Sequence, residues 1–96
     1  MTPYDILGVT HNASPGDIRR AYRLKAKQLH PDRAGDTPDA HERFVVLRAA
    51  YEILGDPQKR QEYDRNPQGI FENEVEASRR RAQRQRRRDR LKRLYD

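Results

Sequence analysis

The residues best placed to do chemistry are His30 and Asp32, an imidazole and a carboxylate on either side of Pro31. Proline has a fixed φ and no N–H, so the two polar groups stand on a stiff piece of chain. They are not a hydrolase pair, because no Ser or Cys nucleophile stands in a matching context. His11, His30 and His41 have unrelated spacings, which makes a poor metal site, and the absence of cysteine excludes thiolate zinc chemistry and disulfides. No catalytic group, metal or cofactor is expected. A second concentration of chemistry lies at residues 79–93, where ten Lys/Arg accompany one acid, Asp89. Such a run attracts polyanions.

These groups must be positioned by helices. Pro31 pushes His30 toward extended geometry, so the helix before it must end at about Leu29. Residues 30–36 then read as a loop. Five of the six prolines directly follow a residue suited to N-capping: Thr2-Pro3, Ser14-Pro15, Thr37-Pro38, Asp56-Pro57 and Asn66-Pro67. That pattern predicts five helix starts, with Pro31 as the proline used differently. Asp5 and Asp17, three residues after their caps, suggest a weaker relative of the capping box. No strand pattern competes.

The first helix, residues 3–7, turns Tyr4 and Leu7 inward and stops at Gly8. The second, residues 15–29, carries Ile18, Ala21, Tyr22 and Leu29 on one stripe, interrupted by Lys25, whose stem can pack while its ammonium reaches water. Its other side repeats Arg19, Arg23 and Lys27 at four-residue steps, flanked by Arg20. The third, residues 38–54, has the cleanest period, with Ala40, Phe44, Leu47, Tyr51 and Leu54, and ends at Gly55. The fourth, residues 57–64, is anchored by Tyr63. The expected core is Tyr4, Leu7, Ile18, Ala21, Phe44, Leu47, Tyr51, Leu54 and Tyr63, in an all-α domain of two long antiparallel helices flanked by two short ones.

Composition bounds the rest. With 33% apolar and 38% charged residues in a chain of 96, any core is thin and its helices strongly amphipathic. Residues 1–66 hold 11 Lys/Arg against 10 Asp/Glu, and residues 67–96 hold 10 against 5, so most of the net charge of +6 sits in the tail. A domain over residues 1–66 and a basic, helical or partly disordered tail over 67–96 follow. No apolar run approaches the roughly 18 residues needed for a membrane span, and the N-terminus lacks a signal-peptide apolar core. A soluble, cytoplasmic monomer is expected.

Taken together, Pro3-Tyr-Asp-Ile-Leu-Gly8, Ile18-x-x-Ala-Tyr22, His30-Pro-Asp32, Phe44-x-x-Leu47, Ala50-Tyr-Glu-Ile-Leu54, Asp56-Pro57 and Gln58-Lys-Arg60-x-x-Tyr-Asp64 resemble the J domain of the DnaJ co-chaperone family. The order and spacing match over residues 3–65, and the chain looks like the J-domain-only type with a short basic tail. The resemblance implies the J-domain fold. It implies binding to the ATP state of a DnaK-type heat-shock chaperone of the seventy-kilodalton class, whose ATP hydrolysis is stimulated, so the chain would be an activator of an ATPase and not an enzyme. Carried over residue by residue, the chaperone-binding set is His30, Pro31 and Asp32 with Arg19, Arg20, Tyr22, Arg23 and Lys27. Arg60 reads as a brace for the fold.

The chain also departs from the family. Positions 25 and 27, apolar in many members, are both Lys. Val45 and Val46 stand where charge is usual, and at least one is expected to face solvent. The tail reads as a solvated helix outside the core, although Ile70 and Phe71 could cover the third or fourth helix. Arg79, Arg80, Arg81, Arg86, Arg87 and Arg88 are its candidate contacts to phosphate or to an acidic protein surface. The alternative function is thus a nucleic-acid- or ribosome-associated protein using this tail, without sequence readout, since Tyr95 is the lone aromatic beside its Arg-rich run. The centre of the tail has no apolar face for a membrane.

Overall fold

A computed structural model describes residues 1–95, and Asp96, the end of the expected tail, lies outside the described residues, as does the side chain of Tyr95. Six helices and no strand occur among the described residues: α1 (Pro3–Leu7), α2 (Pro15–Leu29), α3 (Pro31–Ala34), α4 (Pro38–Leu54), α5 (Pro57–Arg65) and α6 (Ile70–Tyr95). The all-α architecture with α2 and α4 as an antiparallel pair is as expected. Tyr22 near the middle of α2 stacks on Tyr51 late in α4, with ring centroids 4.1 Å apart and planes within 5°. At the other end of the pair, Leu29 shares a surface depression with Glu42.

The helix starts follow from capping, with one exchange of prolines. Thr2 and Ser14 each accept from the backbone N–H of the residue three on, and Asp5 and Asp17 reach back to the cap N–H, so both capping boxes are complete. Thr37 caps α4 by accepting from the Ala40 N–H, and Asp56 caps α5 by accepting from the Gln58 and Lys59 N–H groups, neither with a side chain reaching back. Pro31, expected to lie in a loop, instead occupies the first position of α3, because His30 supplies the cap. Pro67 starts nothing. Asn66 closes α5, Gly69 turns the chain at φ 80°, and α6 begins at Ile70. Gly8 ends α1 in the left-handed conformation at φ 73°. Gly55 ends α4 for a different reason, since its φ is −79° and a Cβ there would lie 2.7 Å from the Tyr51 carbonyl oxygen. Space, not φ, demands glycine at that position.

The core gathers on α4, which is packed by α1, α2, α5 and α6. Ala40, Val45, Leu47, Ala49, Ala50, Ile53 and Leu54 are all buried along it. A single stripe was expected, yet burial extends around most of the helix, as it must for a helix enclosed by four others. Phe44 is only half-buried and stands outside the core cluster, while Ile53, off the expected stripe, is inside it. Tyr4, Leu7, Ile18, Leu47, Leu54 and Tyr63 are core as expected, and Ala21, Tyr22 and Tyr51 pack half-buried against them. Lys25 is half-buried beside Gly8, its stem packing as anticipated.

Two long-range devices close the molecule. The Tyr4 hydroxyl donates to Asp64 at 2.7 Å and accepts from the Arg60 Nε at 3.2 Å, tying α1 to α5. Arg60 also donates to the His11 carbonyl at 3.0 Å and lies over the Tyr4 ring, which is the bracing role expected of it. Burial, with help from the Asp64 hydrogen bond, pushes the Tyr4 phenol above its ordinary pKa while Arg60 opposes the shift.

The second device is the root of α6, and it corrects the expectation of a tail outside the core. Phe71 is 7% exposed and Ser78 2%, and Ile70 and Val75 pack on the core cluster. Arg79 reaches across to α4 and donates to both Glu42 oxygens, at 2.5 and 3.3 Å, with Glu76 as a further partner. Glu42 holds the Arg79 guanidinium above its ordinary pKa. At least one of Val45 and Val46 was expected to face solvent, yet Val45 is buried at 7% because α6 covers it, and Val46 is half-buried.

Two outcomes test this packing. Phe71→Ala should cost about 3 kcal/mol or somewhat more, lowering Tm, and hydrogen exchange should show the loss of protection concentrated in residues 70–82. Tyr4→Phe removes a hydroxyl that serves two partners able to return to water. It should cost about 1 kcal/mol and lower Tm by several degrees in a thermal melt.

Candidate functional site

The His30–Pro31–Asp32 corner stands where α2 hands over to α3. His30 is extended at φ −60° and ψ 141°, closing α2 and capping α3 at once. Its Nδ1 accepts from the Asp32 N–H at 3.3 Å, and its carbonyl accepts from the Arg33 and Ala34 N–H groups at 2.9 Å. Pro31 suits the first helical position because that N–H would have no partner. The Gly35 N–H returns to the Pro31 carbonyl at 3.0 Å and Gly35 turns out at φ 81°. One turn of helix thus fixes three residues that would otherwise sample many states. The carboxylate it carries is open: the Asp32 side chain is 91% exposed, and its oxygen is 3.6 Å from the His30 Nδ1. A rigid backbone with an exposed carboxylate can accept a charge-assisted hydrogen bond from an incoming cation.

The basic stripe leads up to this corner. Arg19, Arg23 and Lys27 are exposed on one face of α2, spanning about 12 Å at 1.5 Å per residue. Arg20 is also exposed, but it pairs with Asp17 on its own helix. Tyr22 differs from the rest of its expected group. It is half-buried in the α2–α4 seam against Tyr51, and burial raises its phenol pKa. Its ring is part of the packing that holds the stripe in place.

A cleft of about 440 Å³ runs from this corner to α6, with His30, Pro31 and Val45 on one side and Ala82 and Arg86 on the other. Arg48 and Arg79 also line it, so three cations of α4 and α6 share a cleft with a corner whose basic neighbours were expected on α2 alone. No local pattern marks Arg48, because its position depends on α6 lying across α4. Among the tail candidates, Arg79 is bound to Glu42 and Glu76, and Arg81 donates to Glu74 at 2.8 Å and to Ser78 at 3.1 Å. Arg80, Arg86, Arg87 and Arg88 are exposed. Among the described residues no cluster of His, Cys, Asp and Glu could hold a metal ion, and no helix is long and apolar enough to cross a membrane.

Comparison with known proteins accords with this geometry. The family model for the DnaJ domain matches residues 2–64, from the cap of α1 to the Asp64 that receives the Tyr4 hydroxyl. The chain belongs to the DnaJ-domain family. Among similar proteins are the chaperone protein DnaJ of Dinoroseobacter shibae, 50% identical over 73% of this chain and 18% of that protein, and that of Tropheryma whipplei, 51% identical over 78% and 21%. The DnaJ homolog subfamily B member 11 of Pongo abelii is 57% identical over 64% of this chain and 17% of its own length. The chain therefore spans about a fifth of the length of the curated relatives it matches. The family match spans the J domain, including the His30–Asp32 corner and all of α2.

The helix that carries the stripe has its own acid sensitivity. Hydrogen bonds from the Ser14 backbone and hydroxyl, and then Arg20, hold the Asp17 carboxyl below its ordinary range. A lowered folded-state pKa stabilises the fold above the unfolded value, near pH 4, and that contribution is lost as pH falls through the folded value. Asp17→Asn should therefore reduce the fall in Tm between pH 5 and pH 3, read from melts of the two proteins across that range.

Proposed function

We propose that this chain is a J-domain co-chaperone, which docks on the ATP-bound state of a DnaK-type heat-shock chaperone and accelerates its ATP hydrolysis. The observation that carries the reading is the Asp32 carboxylate, 91% exposed on a one-turn helix capped by His30, at the end of a stripe formed by Arg19, Arg23 and Lys27. Family membership over residues 2–64 supports it.

The two parts have different work. The stripe attracts an acidic surface over distances up to about a Debye length, some 8–10 Å at physiological salt, and so raises the encounter rate and sets orientation. Asp32 then meets a partner arginine with little loop entropy left to lose, because α3 and Pro31 have already ordered it. Neither part performs bond chemistry. Docking speeds hydrolysis only if the partner's hydrolysis-competent conformation binds the J domain more tightly than its resting one. One copy of the chain suffices for such a contact, and Tyr22 serves it indirectly by seating α2 on α4.

Single-turnover ATP hydrolysis by a DnaK-type chaperone tests the reading. The intact chain should stimulate strongly, and Asp32→Asn should remove the stimulation at all accessible concentrations while Tm stays within a degree or two. Arg23→Glu should instead raise the concentration for half-maximal stimulation by about tenfold, an effect that shrinks as salt screens the stripe. Stimulation undiminished in Asp32→Asn would refute the proposal.

A further inference from the structure

The Arg-rich segment is divided by the fold into a bound half and a free half. Up to Ala82, α6 is rooted on α4 by Phe71, Ser78 and the Arg79–Glu42 pair, and Arg81 is satisfied by Glu74 and Ser78. From Gln83 to Leu94 every residue is exposed. This arm carries seven cations, Arg84, Arg86, Arg87, Arg88, Arg90, Lys92 and Arg93, against Asp89, whose carboxylate accepts from Gln85 at 3.0 Å. Twelve helical residues extend about 18 Å.

The distribution of these cations around the arm decides what suits it. At about 100° per residue, Arg84 and Arg88 fall on one side, Arg86, Arg90 and Arg93 on the opposite side, and Arg87 and Lys92 between them. An acidic protein patch or an anionic lipid surface would engage one side and leave the rest in water. A groove with phosphates along both walls engages opposite sides together. The B-form major groove, about 12 Å wide, admits an α-helix of about 10–12 Å, whereas the major groove of duplex RNA is too deep and narrow. Single strands are poorly served, because residues 72–94 contain no aromatic side chain for base stacking. Like charges four residues apart, Arg84 with Arg88 and Arg86 with Arg90, also oppose the arm's own helix. Phosphates would relieve that repulsion.

We propose that residues 83–94 form a basic arm that lies in the major groove of duplex DNA and binds its phosphates without reading base sequence. The anchored root presents the arm already helical, so little ordering cost opposes binding. Of the arm's cations only Arg86 also lines the cleft beside His30.

Fluorescence anisotropy with a labelled duplex of arbitrary sequence and the intact chain tests the proposal. With about five phosphates neutralised, affinity should fall several-hundred-fold between about 50 and 200 mM salt. Arg87→Glu with Arg88→Glu and Arg90→Glu should weaken binding at least tenfold at low salt. Because these side chains pack on nothing, Tm and stimulation of a DnaK-type ATPase should not change. Arg19→Glu with Arg23→Glu should leave DNA binding within a few-fold and reduce ATPase stimulation, so failure of one function is distinguishable from failure of the other. No binding at low salt overturns the proposal. So does equal competition by unlabelled single strand or by polyglutamate, which would make the arm a general polyanion binder, and so does a loss in the α2 variant as large as in the arm variant.

Discussion

Everything in this small fold leans on the burial of α4. Four helices lie against it, and Ala49 and Ala50 are completely enclosed between them. The small side chains allow close approach, and Leu47, Ile53 and Leu54 fill the volume around them. In a chain with only a third of its residues apolar, concentrating burial on one helix is the economical route to a core, because each apolar residue there meets neighbours on more than one side. The consequence for the site is geometric. With α2 antiparallel to α4, the connection between them must emerge at one end of the pair, and that end is where His30, Pro31 and Asp32 stand.

The corner then depends on short-range hydrogen bonding and not on burial. No residue of α3 is buried. One imidazole nitrogen capping one turn, one proline at its first position and one glycine turning out of it hold the carboxylate. A site made in this way gains rigidity while leaving its polar groups in water, where a partner can reach them. Burial would have ordered the same residues at the cost of hiding them.

Charge is handled in two opposite ways in one molecule. Near the body, cations are matched: Arg79 to Glu42 and Glu76, Arg81 to Glu74, Arg60 to the Tyr4 and His11 oxygens. On α2 and the outer part of α6 they stand exposed in series. Exposed single ion pairs add little stability, so the matched set matters mainly for orientation, fixing α6 across Val45 and bringing Arg86 to the cleft beside His30.

Local order dictated most of this architecture before any long-range contact entered. The caps at Thr2, Ser14, Thr37 and Asp56, each followed by proline, specify their helices through atoms within three residues, and such signals survive in a bare sequence. The His-Pro-Asp motif with its flanks was legible for the same reason, as was the basic face of α2, which needs only helical periodicity. The exchange of Pro31 for Pro67 as a helix start was not, because histidine is an uncommon cap and the spacing alone cannot tell a capping imidazole from a loop residue. Tertiary structure decided the rest. Whether Val45 meets water, whether Phe44 or Ile53 enters the core, and which arginines of residues 79–93 stay free all depend on α6 lying across α4. That contact joins Arg79 to Glu42 over 37 positions, a distance at which neither periodicity nor capping carries information.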